Sequence, residues 1–355
     1  RVGASLSAGA NSDYTIIAAS ALRQFSDQIL DLTAEIVLQP SFPENEVELA
    51  KQNTKESLRQ QRAQPSFLAS ERVSHVMFGN HRYAIVAPTP ESIDRSSRSD
   101  FVSFHQQYFV PNNAVFIVVG DVNYSQVVNR LESLFSTWKK GQPLSTKFPA
   151  PPVRTKRTAY LVDRPGSAQS NIVIANSAIT RTSPDYFPLL LMHTIFGATA
   201  SSRLFMNLRE EKGYTYGAYS NLDARRTAGT FRSTAEVRTP VTGDSLKEFF
   251  YELGRIRNEP VSEKEINDAK SYLTGVFPIR LETQEGLIDQ LVQIKMLNLP
   301  DNYLETYCDN VQAVTIEEIQ RVANKYVRPD EAALVVVGDG AAVLDQIRPY
   351  CEDIE

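Results

Sequence analysis

One stretch of this chain is written twice. Phe109-Val-Pro-Asn-Asn-Ala-Val-Phe-Ile-Val-Val-Gly-Asp121 returns as Tyr326-Val-Arg-Pro-Asp-Glu-Ala-Ala-Leu-Val-Val-Val-Gly-Asp339, with Arg328 as a single insertion. Glu46-Val-Glu-Leu-Ala-Lys51 returns, at nearly the same offset, as Glu265-Ile-Asn-Asp-Ala-Lys270. Val-rich strands and Glu/Lys-rich helices can look alike by chance. Two matches in one order, about 218 residues apart, instead point to a duplicated unit. A length of 355 residues agrees, since it is enough for about two domains with cores of their own.

The periodicity fits two copies of an α+β unit. In the first, Val2–Ala8 and Asp13–Ser20 read as a strand pair. Leu22, Phe25, Ile29, Leu32 and Ile36 then step by three and four, one apolar helix face. Pro40 ends that helix, and Pro43 suits the first turn of the next, which runs to about Arg62. Pro65–Phe78 and Pro90–Phe109 read as helices, Ala114–Gly120 as a buried strand, and Tyr124–Trp138 as a closing helix that Trp138 anchors. The second copy opens with strands at Thr158–Asp163 and Asn171–Ala178. Helices at Pro184–Ile195 and Ser202–Glu211 and strands at Tyr214–Leu222 and Gly229–Val237 come next. A run of five helices then leads to the strand Ala333–Gly338. Strands early, helices after and one strand returning predict, in each domain, a mainly antiparallel sheet with helices on one face. The expected division is a first domain at 1–138, a Pro- and Lys-rich linker at 139–154 and a homologous second domain at 155–355. The offset also pairs Val2-Gly-Ala-Ser with Tyr216-Gly-Ala-Tyr-Ser220, so the first copy is expected to lack its leading strands and a helix.

Composition removes several function classes. A net charge of -5 supplies no basic field for nucleic acid or an anionic membrane. No apolar run approaches the ~20 residues of a membrane span, so no transmembrane segment is expected. Two cysteines, Cys308 and Cys351, make no disulfide framework and leave the compartment open. Four histidines, His75, His81, His105 and His193, limit any imidazole metal site. His75 and His81 flank a helix end, while His105 on an amphipathic helix and His193 on an apolar one are expected to be packed or hydrogen-bonded. Ser201 and Ser202 read as helix caps, Gly197 and Gly213 as turn residues, and Asp121 and Asp339 as structural.

The segments Gly3-Ala-Ser-Leu-Ser-Ala-Gly-Ala-Asn-Ser-Asp-Tyr-Thr15, Pro40-Ser-Phe-Pro-Glu44 and Tyr108-Phe-Val-Pro-Asn-Asn-Ala114 resemble the pitrilysin/insulinase-type metallopeptidases, the inverzincins. The most specific match is Gly197-Ala-Thr-Ala-Ser-Ser-Arg-Leu-Phe-Met-Asn-Leu-Arg-Glu-Glu-Lys-Gly-Tyr-Thr-Tyr216. The resemblance covers essentially the whole chain and implies two homologous halves closing over a peptide substrate. It also implies zinc, held by an H-x-x-E-H helix and a downstream glutamate. No H-x-x-E-H occurs here. An ungapped alignment puts Ser57 at the third-ligand position and Glu56 one residue short, about 100° around the helix. Glu56 is therefore the candidate remnant of that ligand, set against the plainer reading of a solvated helical carboxylate. The family's substrate-binding arginine and tyrosine, seven residues apart, fall on Arg209 and Tyr216. A guanidinium and a phenol are directed donors for a peptide carbonyl; the plainer alternative is that Arg209 pairs with Glu210, Glu211 or another acid on a helix surface and Tyr216 is a strand residue.

Together these residues read as a zinc-less, non-catalytic subunit that binds peptide or unfolded polypeptide. It would work as a homo- or heterodimer with a peptidase-family subunit, and bacterial members are often exported. Two alternatives stand beside it: an active zinc peptidase whose H-x-x-E-H segment lies outside this chain, and a scaffold like the respiratory-complex core proteins.

Overall fold

Proline, capping residues and apolar periodicity place most of the elements in the computed structural model, which describes residues 3–145 and 147–355; Val2, at one expected strand end, and Thr146, in the expected linker, lie outside the described residues. The strands are β1 (Ser5–Ala10), β2 (Thr15–Ser20), β3 (Thr158–Asp163), β4 (Gln169–Ala178), β5 (Thr215–Ala224), β6 (Gly229–Arg238), β7 (Ala333–Gly338) and β8 (Asp353–Ile354). The helices of the amino-terminal half are α1 (Ser26–Leu38), α2 (Glu44–Arg62), α3 (Pro65–Phe78), α4 (Pro90–Arg95), α5 (Arg98–Tyr108) and α6 (Tyr124–Leu134). Those of the other half are α7 (Tyr186–His193), α8 (Arg203–Phe205), α9 (Thr242–Asn258), α10 (Glu263–Leu281), α11 (Gln284–Met296), α12 (Tyr303–Ala313), α13 (Ile316–Tyr326) and α14 (Gly340–Ile347). The fold is α+β.

Two compact units share the chain. The first takes Arg1–Leu58, Pro88–Lys147 and Arg280–Met296, and the second Arg59–Ala87, Phe148–Ile279 and Leu297–Glu355. This partition follows contacts rather than the copies, which is why it departs from the expected 1–138 and 155–355. Residues 59–87 pack with the second sheet, and 280–296 with the first unit.

In the first unit β1 and β2 form an antiparallel pair from Ser5↔Ser20 to Ala10↔Thr15. Asn11 Oδ1 closes their turn by accepting from the backbone N–H groups of Asp13 and Tyr14, at 2.8 and 3.0 Å. The single helix expected over Pro90–Phe109 is two, α4 and α5. Ser97 breaks it as an N-cap: the Asp100 N–H donates to its hydroxyl, and its own N–H donates to the Asp100 carboxylate at 2.8 Å. Trp138 does anchor the end of this segment, its indole N–H donating to the Phe109 carbonyl at 2.9 Å.

Ala114–Gly120 is not the buried strand its sequence predicts. Among the described residues it belongs to no sheet, and Val115, Phe116 and Val118 are exposed. Its copy in the second unit explains the difference. There β7 lies between β3, parallel to it, and β4, antiparallel, with every residue from Ala333 to Val337 sealed from solvent. A Val-rich run becomes a buried strand only where two neighbouring strands take its N–H and C=O groups.

The second unit holds a six-stranded sheet in the order β5-β6-β4-β7-β3-β8. The pairs β5/β6, β6/β4 and β4/β7 are antiparallel, while β7/β3 and β3/β8 are parallel. Alternation sends Val173, Ala175 and Val335 to one face, where α3 covers them with Ala69, Val73, Met77 and Phe78. Ile172, Ile174, Leu334 and Val336 point the other way and are equally buried, on the side that carries α7, α9 and α13. Helices thus cover both faces of this sheet, one layer more than the sequence predicts. One helical run, Tyr186–Glu211, is long and apolar enough to cross a membrane, with a mean hydropathy of 1.2, and 56% of its apolar window is buried inside the unit. Leu189, Leu191, Met192, Phe196 and Leu208 are fully enclosed there, which gives this run a core helix's environment.

Candidate functional site

The segment carrying Arg209 is held from below by charge. Its Arg203 forms a fork on Glu265, Nε to Oε1 at 2.6 Å and Nη2 to Oε2 at 3.0 Å, with the guanidinium almost wholly buried. Burial would raise the Glu265 carboxyl, but donation from Arg203 and from Ser262 holds it down at about 2. Asn207 Nδ2 donates to Glu248 at 3.0 Å and to the buried Glu252 at 2.8 Å, and Arg255 closes that group by pairing with Glu252. A cavity of about 490 Å³ opens beside this network, with Arg203, Asn207, Glu211, Glu252 and Arg255 among its walls. These bonds tie the segment to α9 and α10.

The backbone of the motif is not plain α-helix. Thr194–Ala198 and Met206–Glu211 are π-helical turns, the second running on directly from α8. A π turn holds one more residue than an α turn, which rotates the residues beyond it and is frequent at functional sites. Gly213, at φ +65°, then reverses the chain into β5 as a turn glycine should. Gly197 corrects the expectation of a second turn glycine. It sits inside the first π turn, and a Cβ there would come within 2.9 Å of Ser220, so it is small to let β5 approach. Ser202 occupies the helix N-cap position without capping by its side chain; its hydroxyl donates to the Thr199 carbonyl at 2.6 Å. Ser201 meets the Thr199 hydroxyl at 3.1 Å.

Arg209 and Tyr216 emerge from adjoining elements, since the Met206–Glu211 turn packs against β5. Arg209 lays its guanidinium 4.9 Å above the Phe205 ring, one turn back, and 3.5 Å from Glu210, with 46% of its side chain in solvent. Arg209 thus has a loose acidic neighbour and a side chain about half exposed. Tyr216 is 92% exposed. Phe205, itself buried, also packs on Tyr219 at 5.3 Å. Sequence reasoning missed Phe205 as the seat of Arg209, although its spacing of four on a helix was the signal.

Glu56 lies exposed on α2, as does Ser57. Among the described residues no three His, Cys, Asp or Glu side chains come together as a metal ligand set. The donors present do not fit zinc, so no chemistry of this chain is routed through it. The histidines are used otherwise. His81 is buried, accepting the Tyr83 N–H at Nδ1 and donating from Nε2 to Thr227. His105 Nε2 donates to the Val37 carbonyl at 2.7 Å. His193 Nδ1 meets the Ser220 hydroxyl at 2.7 Å, and burial pushes its imidazole down to about 4. His75 is exposed at the end of α3. Asp339 caps α14 by accepting the Ala341 N–H, while Asp121 pairs with Arg23.

The chain matches two family models. One, described as the peptidase M16 inactive domain, covers residues 96–273; the other, described as insulinase (peptidase family M16), covers residues 1–90. It is 21% identical over 346 residues to the uncharacterized zinc protease YmxG of Bacillus subtilis, spanning 96% of this chain and 82% of that protein. It is 22% identical over 328 residues to the non-peptidase homolog YmxG of Helicobacter pylori, spanning 90% of this chain and 73% of that one. The crystal structure of a peptidase M16 inactive domain from Pseudomonas fluorescens superposes with a TM-score of 0.87 at 27% identity, covering 95% of this chain and 81% of that one.

Proposed function

The chain belongs to the peptidase M16 (insulinase) family, and from that premise we propose that it is a zinc-less, non-catalytic member that holds peptide for a catalytic M16 subunit. The observation that carries this reading is the asymmetry of the motif. Its scaffold is buried and cross-linked, through Arg203–Glu265 and Asn207–Glu252, while its two directed donors, Arg209 and Tyr216, stand open to solvent. A surface kept rigid with its donors presented outward suits recognition of a partner's groups. In this reading an H-x-x-E-H subunit activates the water; these 355 residues carry no such motif.

In this reading the Arg209 guanidinium donates to a carbonyl of an extended peptide, and the Phe205 ring beneath it holds the charge in place. The Tyr216 hydroxyl donates a second hydrogen bond to the same backbone. Neither group moves a proton. The test is peptide cleavage by an H-x-x-E-H M16 subunit reconstituted with this chain. Arg209→Ala and Tyr216→Phe are each expected to lower kcat/KM by about tenfold, through a raised KM, the loss of one donor to the peptide backbone. Cleavage unchanged by Arg209→Ala removes the assigned role.

A further inference from the structure

The geometry points to Thr215 as the residue that positions Tyr216, by locking a β-bulge that turns this phenol out of the sheet; its consequence for peptide rests on the function proposed above. In a regular strand, Tyr216 and Ala218 share a face. Here Ala218 is wholly buried and Tyr216 is 92% exposed. The register says how. Thr215 pairs with Val237, but the next pair is Ala218 with Ala235, so β5 spends three steps where β6 spends two. The surplus residue lies at Tyr216–Gly217, and bulges of this kind re-aim a side chain.

One hydroxyl ties the bulge to both strands. Thr215 Oγ1 accepts the Gly217 N–H at 3.1 Å and directs its own proton between the Gly217 carbonyl, at 2.9 Å, and the Glu236 carbonyl across the ladder, at 2.6 Å. Gly217 is needed for a different reason. A Cβ there would stand 2.6 Å from the Tyr219 ring, which covers it. Tyr219 in turn packs on Phe205, and Phe205 carries Arg209. The bulge therefore sets Tyr216 directly and, through Tyr219 and Phe205, adjoins the second donor.

The test uses the full chain with 3-fluorotyrosine at position 216, read by fluorine NMR, and affinity for fluorescein-labelled casein, an unfolded polypeptide, read by anisotropy. Thr215→Val keeps the side chain's shape and removes the hydroxyl. It is expected to move the position-216 resonance and to weaken casein binding by about tenfold, as far as Tyr216→Phe does. Thr215→Ser is expected to restore both. Combining Thr215→Val with Tyr216→Phe should cost no more affinity than Tyr216→Phe alone, and a further loss overturns the assignment. A resonance unmoved by Thr215→Val overturns it as well. Should Thr215→Val fail to fold, Gly217→Ala, which displaces the Tyr219 ring, must move the same resonance. If the resonance moves while Tyr216→Phe binds casein as the unaltered chain does, the peptide-binding reading falls and the bulge assignment stands.

Discussion

His193 shows how one residue's surroundings set a property of the whole chain. Burial holds its imidazole at about 4, against an unfolded value near 6.5. The folded state therefore keeps the ring neutral where the unfolded state already binds a proton. Stability linked to His193 is complete above pH ~6.5 and falls as pH drops toward 4, by about 3 kcal/mol. Asp185 and Glu265 act in a different window. Burial raises each carboxyl, but Lys325, Tyr326 and Arg321 around Asp185, and Arg203 and Ser262 around Glu265, bring both to about 2. Their contribution is lost only below pH ~4. Urea midpoints measured from pH 7 to pH 4 should thus decline in the unaltered chain and decline less in His193→Gln, once each is referred to its own pH 7 value. Equal slopes would place the sensitive group elsewhere. Arg209 and Tyr216 could be proposed from the sequence because they lie inside a long, specific motif. Thr215 and Phe205 were not, since a hydroxyl tying a bulge and a ring under a guanidinium are settled by neighbours that a linear pattern does not name.

At the scale of elements, sequence was most exact where local chemistry decides a boundary. Pro65 at the first helical position gives α3 its start, and the Thr315–Glu318 capping box gives α13 its start. It failed where the partner decides. Val118 and Val336 occupy matching places in the duplicated stretch, with the same side chain and nearly the same neighbours in sequence. Val336 is 0% exposed between two strands and two layers; Val118 is 42% exposed and outside any sheet among the described residues. Asp at Val336 would bury an unpaired carboxylate, at a cost above about 4 kcal/mol. The same change at Val118 should alter stability by about 0.5 kcal/mol or less. Chemical denaturation of the two variants measures both, and a large loss from Val118→Asp would mean that this segment is covered in solution. The two π turns were invisible for a related reason: the apolar spacing of Leu189 to Leu208 is met by α and π turns alike.

For the whole molecule, the sequence repeat suggests one division of the chain and the contact units give another, and the difference has a measurable consequence. The pattern of copies suggests cutting in the linker at 139–154. That cut would take α3 away from the second sheet, although Ala69, Val73, Met77 and Phe78 are each about 1% exposed against Tyr160, Val173, Ala175 and Val335. Tyr83 joins the same cluster, and Arg225 lies over its ring at 4.7 Å. At about 1.5–3 kcal/mol for each large apolar side chain, losing Val73, Met77, Phe78 and Tyr83 removes roughly 6–12 kcal/mol. A domain's entire stability is about 5–15 kcal/mol, so this one face decides whether the second unit folds. A protein of residues 155–355 should therefore be insoluble or expanded, with its apolar sheet face binding a hydrophobic dye. One of residues 59–355, which restores α3, should recover a cooperative urea transition. Adding residues 59–87 as a separate peptide to 155–355 should suppress the dye signal, because the peptide supplies the missing face without a covalent link. Cooperative unfolding of 155–355 alone would show that the copies, and not the contacts, are the folding units.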